Sequence, residues 1–369
     1  MASLFLAARN LATDKIRLGL TAIGTGLSVT LILLLSGFIS GIDLQVSVYL
    51  DHEPGSIVVA QTGVSNLLGS SSRLPAGTLD RVIATPGVAR AIPILSQFVI
   101  LDLNRRKQPA YLVGYDPAKG GGPWQLVSGT EPADTSQIVV DQVLARRQRV
   151  AIGDTFAILG RAFKVSGLSG GTASFMTSYL FVRESALESL IASPEQPSFI
   201  LVSPAAGMSA AGLITVLRSL PGATALAKQT MVANDRDLLA RVFRLPLELM
   251  AIIAYAVGAL VVGLVVYTAT IERRREYGAL KALGAANRLL YVTVTAQALV
   301  AAVSGALLGV ALALAAAQLI MVAAPQLLVA VQPSAILLGV AAGLGMALVG
   351  SLLPARLIAG MAPAEVLRS

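Results

Sequence analysis

The sequence predicts a membrane α-helical protein with four transmembrane helices and an α+β extracytoplasmic domain inserted between helices 1 and 2. Charged residues make up 13% of the 369 positions, about half the share that is typical of soluble domains. No charged residue occurs in 18–42, 249–271 or 289–355, which indicates segments that lie in a membrane. The long segment between the first two of these runs has the composition of a globular domain.

The lengths of these runs predict the four helices, because a helix needs about 20 apolar residues to cross the hydrocarbon core. The first run predicts helix 1 at 18–42, an uncleaved anchor whose apolar region is longer than that of a signal peptide. The second predicts helix 2 at 245–271. The third run, of 67 residues, predicts helices 3 and 4 at 289–324 and 334–355, because prolines bound an external turn at 325–333.

The distribution of Lys and Arg predicts the orientation, since these residues favour the cytoplasmic side of a membrane. The segments 1–17, 272–288 and 356–369 together contain ten cationic and four anionic residues. We therefore expect both termini and the 272–288 loop in the cytoplasm, in a multi-pass protein of the bacterial cytoplasmic (inner) membrane. These segments account for +6 of the net charge of +8, so the excess reflects topology and no nucleic-acid partner is expected.

Residues 43–244 are predicted to form the α+β domain outside the membrane. Runs such as "GSIVVAQ" and "QIVVD" predict short strands, and Pro-Gly pairs end two short predicted helices. The mixture suggests two lobes. A helical pattern at 229–248 predicts a stalk continuous with helix 2, and residues 1–17 predict an amphipathic helix at the cytoplasmic surface.

Several classes of activity are disfavoured by what the sequence lacks. It has no Cys and a single His, His52, which excludes disulfides, thiolate metal sites and clusters of His ligands. The nucleotide-binding pattern G-x-x-x-x-G-K-[ST] and the usual hydrolase motifs do not occur. The predicted membrane helices contain no ionisable Asp, Glu, Lys, Arg or His except Glu248 near one end, which argues against an ion-driven carrier.

Glycines spaced four residues apart occur in three of the predicted membrane helices, where such pairs allow close helix packing. The pairs are Gly37 and Gly41, Gly305 and Gly309, and Gly339 and Gly343. The sequence alone leaves open whether any of them forms an interface with a second copy.

The cytoplasmic loop contains the most informative stretch, "IERRREYGALKALGA" at 271–285. Its six charges could serve only to fix the orientation, which is the simpler interpretation. The stretch also has helical order, since Glu272 and Glu276 lie one turn apart, a small apolar face follows, and Gly284 ends the predicted helix. A short helix of this kind would present a docking face to a soluble partner.

This stretch resembles the cytoplasmic coupling segment of the MacB/FtsX-type (type VII, LolC/LolE-like) ABC transporter permeases, which reads E-R-x-x-E-[IY]-G-x-L-[KR]-A-[LI]-G-A. The ending "PARLIAGMAPAEVLRS" resembles the family's terminal P-A-R…P-[AVI]-E-[AV]-L-R, and "GDTFAILGRAFKVSGL" resembles a run of its outer core domain. The resemblance implies an ATPase-coupling set of Glu272, Arg273, Arg274, Arg275, Glu276, Tyr277, Gly278, Leu280, Lys281, Leu283 and Gly284. It also implies contacts of the cytoplasmic tail through Arg356, Pro363, Glu365, Leu367 and Arg368.

The resemblance further implies the partners of the chain. The chain itself is expected to be non-catalytic and to bind no cofactor, while a separate ABC ATPase subunit, similar to the lipoprotein-release or MacB ATPases, binds ATP and Mg²⁺. A second permease copy or a close paralogue, membrane lipids, and in some family members a membrane-fusion or extracytoplasmic protein complete the expected assembly.

Three functions remain open from the sequence. The first is export or extraction of a hydrophobic or amphipathic substrate, driven through mechanotransmission by the ATPase. The alternative is a non-transporting, FtsX-like signalling permease that activates an extracytoplasmic enzyme. A membrane-anchored enzyme without an ATPase is disfavoured, because the outer segment has no catalytic triad, metal cluster or paired acidic motif. Composition does not choose among lipoproteins, glycolipids, haem, peptides and drugs as cargo.

Overall fold

A computed structural model of the chain divides into two compact units, a helical one and one built on a β-sheet. It describes residues 15–175, 177–192, 196–272, 274–284 and 286–360. The helical unit comprises the residues up to Gly41, Val242–Ala324 and those from Leu328, and the sheet unit comprises Ile42–Arg241 and Pro325–Leu327. The predicted amphipathic helix at 1–17 lies almost entirely outside the described residues.

The described part of the chain forms nine helices and eleven strands. The helices are α1 (Lys15–His52), α2 (Thr78–Ile83), α3 (Gln142–Gln148), α4 (Glu184–Ile191), α5 (Ala210–Leu217), α6 (Lys228–Glu272), α7 (Arg274–Ala282), α8 (Asn287–Ala323) and α9 (Pro333–Gly360). The strands are β1 (Ile57–Gln61), β2 (Val88–Leu103), β3 (Arg106–Tyr115), β4 (Leu126–Gly129), β5 (Gln137–Asp141), β6 (Thr155–Ile158), β7 (Arg161–Ser169), β8 (Ala173–Ser174), β9 (Thr177–Arg183), β10 (Phe199–Pro204) and β11 (Ala223–Ala227).

Four of these helices, α1, α6, α8 and α9, are long and apolar enough to cross a membrane. Helix α1 continues ten residues beyond the uncharged run, because no Pro or Gly occurs after Gly41 until Pro54 and Gly55 end the helix. Helix α6 begins at Lys228, well before the uncharged run, and its helical assignment continues through Pro246.

Small residues bring α1 and α8 into backbone contact within the helical unit. A Cβ atom added to Gly305 would lie 2.7 Å from the carbonyl oxygen of Ala22, and one added to Gly309 would lie 2.6 Å from that of Gly26. The Thr30 hydroxyl also donates a hydrogen bond of 3.1 Å to the carbonyl oxygen of Gly309. The Gly305/Gly309 pair therefore packs inside the chain.

The other two glycine pairs also have neighbours within the chain. A Cβ atom added to Gly339 of α9 would lie 2.8 Å from the Leu33 side chain of α1, and Gly343 lies against Val29 one turn away. The third pair, on α1, packs against the segment that precedes α9, with Gly37 beside Val329 and Gly41 against the main chain of Leu328.

The sheet unit is built on eleven described strands. Their order is β11-β1-β10-β2-β3-β9-β5-β7-β4, with β6 beside β7 and β8 beside β9. The first half of the long strand β2 pairs antiparallel with β10, and its second half pairs antiparallel with β3. The two lobes expected from the sequence thus share one sheet.

Apolar side chains pack helices on this sheet in three clusters. Leu213 of α5 belongs to one cluster, and Leu144 of α3 and Leu187 of α4 belong to a second. Tyr49 near the end of α1 and Met231 near the start of α6 share the third cluster with strand residues. The end of α1 and the start of α6 are therefore part of the core of this unit. Burial of each such side chain contributes roughly 1.5–3 kcal/mol to the stability of the fold.

Polar contacts hold these two helix ends side by side. The Lys228 ammonium donates a hydrogen bond of 3.0 Å to the carbonyl oxygen of Glu53. The Arg236 guanidinium donates bonds of 3.2 Å to the carbonyl oxygen of Asp43 and 3.0 Å to the hydroxyl of Ser47. Because the start of α6 meets the end of α1, the two helices run antiparallel here.

Candidate functional site

The short helix α7 lies in the 272–288 loop, which the sequence predicts to contain a docking segment. Glu276 in its first turn and Lys281 in its last turn both complement the helix dipole. The amide of Leu283 donates a bond of 3.0 Å to the carbonyl oxygen of Ala279. Gly284 then adopts a φ of 88°, a left-handed conformation that glycine accepts without strain and that ends the helix.

The surface of α7 combines charges with an exposed apolar side chain. Glu272, Arg275 and Glu276 are exposed, and Lys281 is half-buried. Leu283 is 85% exposed. Burial of a leucine side chain is favourable by roughly 1.5–3 kcal/mol, and Leu283 does not gain this free energy within the chain. We define the coupling surface as α7 with Glu272, Leu283 and Gly284. Its chemistry, an apolar side chain among mixed charges, is suited to a protein partner.

Apart from Arg356, the remaining residues of the two predicted contact sets lie either on α7 or outside the described part of the chain. Arg273, Pro363, Glu365, Leu367 and Arg368 lie outside the described residues. The backbone alone places Arg274, Tyr277, Gly278 and Leu280 on α7.

A small apolar cluster joins the ends of three long helices near α7. It contains Val266 of α6, Leu290 and Val294 of α8, and Ala355 of α9. Arg356, the one described member of the predicted tail contacts, follows Ala355 directly and is exposed. The cluster therefore brings Arg356 to the same end of the helical unit as the coupling surface.

An apolar cleft of about 380 Å³ lies between α6 and α9. At its floor the helices touch, since a Cβ atom added to Gly350 would lie 2.8 Å from the main-chain nitrogen of Gly263. Leu260, Leu353 and Tyr267 are among the side chains that line it. This cleft is not predicted by the sequence, because each helix contributes one glycine and only the packing of the two helices brings the glycines together.

Metal chemistry has no visible basis in the described part of the chain. Among the residues described, no group of three or more His, Asp or Glu side chains could hold a metal ion. The described charges of the helical unit instead lie mainly at helix ends and in the α7 loop.

Comparison with protein families gives two matches that together cover most of the chain. Residues 18–220 match the family model described as MacB-like periplasmic core domain. Residues 248–363 match the model described as FtsX-like permease C-terminal. The predicted fold class is confirmed, since four candidate membrane helices accompany a MacB-like α+β domain that is inserted between the first and the second.

Individual relatives agree with these matches. An uncharacterized ABC transporter permease of Mycobacterium tuberculosis is 28% identical over 311 residues, which is 84% of this chain and 85% of the relative. A second uncharacterized ABC transporter permease, from Mycobacterium bovis, is 25% identical over 317 residues, 86% of each chain.

Two solved structures are similar to part of the chain. The periplasmic region of MacB from Actinobacillus actinomycetemcomitans has a TM-score of 0.37 and 14% identity, and the match covers 49% of this chain and 92% of that one. The extracellular domain of the noncanonic ABC-type transporter YknZ from Gram-positive bacteria has a TM-score of 0.35 and 10% identity, over 47% of this chain and 100% of that one.

Proposed function

The chain belongs to the MacB/FtsX-type ABC transporter permeases, and from this membership we propose that it couples ATP hydrolysis to the export or extraction of a hydrophobic or amphipathic substrate. A permease of an ABC transporter implies an ATPase partner. In our proposal that partner is a separate cytosolic subunit that binds ATP and Mg²⁺. Two permease chains assemble with two such subunits at the bacterial inner membrane. Both termini of the permease lie in the cytoplasm.

The coupling surface is the observation that carries this proposal. The coupling surface offers charge through Glu276 and Lys281 and an apolar contact through Leu283, which is 85% exposed. A loop that served only to fix orientation would need its cations alone. The exposed leucine is instead accounted for by a partner that covers α7.

Helix α6 supports mechanotransmission as the mode of coupling. It is one helix of 45 residues, about 68 Å long at 1.5 Å per residue. Its first turns belong to the core of the sheet unit, and its last residue, Glu272, lies two positions before α7 begins at Arg274. A displacement of α7 by the ATPase therefore has a continuous helical route to the sheet unit.

The chemistry of the helical unit supports an apolar or amphipathic substrate. The cleft between α6 and α9 has almost no polar lining. The membrane segments predicted at 18–42, 245–271, 289–324 and 334–355 carry no charged side chain except Glu248 near the start of the second, which pairs with Arg244 at 2.7 Å. A strongly polar solute would lose its hydration beside such helices without compensation.

The decisive experiment reverses both acidic charges of the coupling surface. We expect Glu272→Lys/Glu276→Lys to weaken binding of the ATPase by at least about tenfold, because charge reversal at a protein interface costs several kcal/mol. The ATPase is first isolated as the protein that co-purifies with the tagged wild-type chain in detergent. It is then titrated against the wild-type and the Glu272→Lys/Glu276→Lys permeases, each reconstituted into nanodiscs. ATP hydrolysis is measured in the same samples.

A matched control separates coupling from general charge effects. Asp51→Lys/Asp237→Lys makes the same change in charge at two exposed positions of α1 and α6 in the sheet unit, so it should bind the ATPase as the wild type does. Equal ATPase binding and hydrolysis by the Glu272→Lys/Glu276→Lys form would refute a coupling role and leave only the orientation role for this loop.

Mass spectrometry of lipid extracts from the same purified complex tests the substrate class. A co-purifying amphiphile that is lost when ATP is hydrolysed supports transport. An ATPase without any amphiphile, but with an extracytoplasmic enzyme attached to the permease, would favour the signalling function instead.

A further inference from the structure

The loop between β1 and α2 covers part of the core of the sheet unit. We call its residues, 62–73, the strap. The strap contains no helix or strand, and Gly63 and Gly69 adopt left-handed φ values of 88° and 71°, which glycine accepts without strain. Its middle residues Leu67 and Leu68 are nonetheless only 6% and 8% exposed. Contacts other than those of regular secondary structure must therefore hold the strap in place.

Two neighbouring residues of α6 supply these contacts. Oδ1 of Asp235 accepts a hydrogen bond of 3.0 Å from each of the main-chain amides of Leu67 and Leu68. The other carboxyl oxygen, Oδ2, lies 3.3 Å from the amide of Leu67. The Asn234 side-chain amide donates a bond of 2.9 Å to the carbonyl oxygen of Ser65. One turn of α6 thus binds the middle of the strap.

The two ends of the strap are held together independently of α6. The main-chain amide of Gln61 donates a bond of 3.0 Å to the hydroxyl of Ser72, and the amide of Arg73 donates one of 3.0 Å to the Gln61 side chain. Between these ends, the Gly69 amide donates a bond of 3.0 Å to the Tyr111 hydroxyl. Loops of this length whose ends meet can open as a unit. The strap can therefore lift from α6 while its ends keep their place.

The Asp235 carboxyl group is buried without a counter-ion. It is 1% exposed, and within the described ranges it takes part in no ion pair. The adjacent cation Arg236 instead donates its bonds to two oxygens of α1. The titratable groups that face Asp235 are the phenols of Tyr111 on β3 and Tyr179 on β9, and burial raises the pKa of both phenols. From the strap, the Asn66 side chain faces the carboxyl group.

This environment favours a protonated carboxyl group while the strap is closed. Burial raises the pKa of the Asp235 carboxyl group from 3.8 to about 7, although the bonds from Leu67, Leu68 and Asn66 oppose the increase. A proton on Oδ2 leaves both 3.0 Å bonds to Oδ1 in place. Opening the strap returns the group to water, where its pKa is near the ordinary value. The closed state therefore keeps a proton that the open state releases, so opening becomes easier as the pH rises through this range.

We propose that the strap is a pH-controlled lid of the sheet unit, which Asp235 latches to α6 in acid and releases as the pH rises. Opening uncovers the side chains of Leu67 and Leu68. Asp235 precedes the membrane segment predicted at 245–271, in the domain that is predicted to lie outside the cytoplasm, so the lid responds to the pH of the surroundings. This inference does not depend on the proposed transport function, since it concerns the chain without ATP or an ATPase.

Hydrogen exchange of the full chain in nanodiscs tests the proposal. Deuterium uptake by peptides from the strap is compared at pH 5 and pH 8, after correction for the pH dependence of chemical exchange. Peptides from the buried strand β5 report global unfolding in the same samples. We expect the strap to exchange well before β5 at both pH values, and its opening equilibrium constant to increase at least about tenfold from pH 5 to pH 8.

Variants identify the latch. Asp235→Asn keeps an acceptor oxygen but does not titrate, so its strap should open equally at the two pH values. Asn234→Ala removes the bond to Ser65 alone and should increase opening about two- to tenfold at both pH values, with the pH dependence unchanged. Asp237→Asn, at an exposed position of the same helix, is the matched control and should behave as the wild type does.

Three outcomes would overturn the proposal. The first is equal opening of the wild-type strap at pH 5 and pH 8. The second is exchange of the strap only together with β5, which would mean that the strap does not open on its own. The third is a pH dependence that persists in Asp235→Asn, which would assign the titration to another group.

Discussion

At the scale of single residues, Glu53 is a buried carboxyl group at the junction of α1 with the sheet unit. It is 6% exposed, and burial raises the pKa of its carboxyl group from 4.5 to about 7. The cations Lys228 and Arg90 and the amide of Gly121 oppose this increase in pKa but do not cancel it. The loss of hydration therefore outweighs the attraction of two positive charges.

This pKa predicts that acid stabilises the sheet unit. Between about pH 4.5 and 7 the folded chain keeps a proton on Glu53 that the unfolded chain releases, so stability is greatest below this window and falls as the pH rises through it. The difference is on the order of 3 kcal/mol. Thermal unfolding at pH 4.5 and 8, followed through Trp124, should show a smaller pH dependence for Glu53→Gln than for the wild type.

Trp124 is a suitable reporter because it is the only tryptophan and stacks on His52, with 4.5 Å between ring centroids. The exposed neighbour Asp51 supplies the matched carboxyl-to-amide control, Asp51→Asn. If Glu53→Gln keeps the wild-type pH dependence, Glu53 is not the group that titrates.

At the scale of elements, glycine contacts decide how the long helices pack. The backbones of α1 and α8 touch at Gly305 and Gly309, where the added Cβ contacts of less than 3 Å leave no room for a side chain. Gly19, near the start of α1, has no neighbouring atom within 4 Å of an added Cβ. The glycines of these two helices therefore differ in how much space is available for a side chain.

We expect Gly309→Leu to separate α8 from α1 and to lower the midpoint of thermal unfolding in detergent by several degrees, because overpacking costs about 1–3 kcal/mol or more. Gly19→Leu makes the same substitution where space is free and should leave the midpoint nearly unchanged. Equal midpoints for the two variants would mean that α1 and α8 do not pack as described.

At the scale of the whole molecule, the distribution of cations predicts which regions face the cytoplasm. Single cysteines test this directly in a chain that has none. In intact spheroplasts, a membrane-impermeant maleimide should label Arg105→Cys, on the β2–β3 hairpin. The same reagent should label Leu283→Cys, beside α7, only after the membrane is opened. Labelling of Leu283→Cys in intact spheroplasts would reverse the orientation.

Much of the architecture could be predicted from the sequence because its signals are local. Uncharged runs of at least 20 residues specify the membrane helices, since hydrocarbon excludes charge over a fixed thickness. A run of β-branched residues such as β5 favours a strand because of the conformational preferences of those residues. Gly284 marks the end of a helix because glycine accepts a left-handed backbone conformation. The family motif around Glu272 to Gly284 is local as well, so the predicted ATPase-coupling residues could be named one by one.

Only the tertiary structure decided the features that depend on distant residues. The register of β2, which pairs with β10 and then with β3, joins the outer unit into one sheet. Three further features each require residues that are far apart in the chain. They are the burial of Glu53, the α6–α9 cleft at Gly263 and Gly350, and the contact of the β2–β3 turn with α3. Their physical cause is packing, which removes water and brings backbones into contact in ways that composition and spacing do not encode.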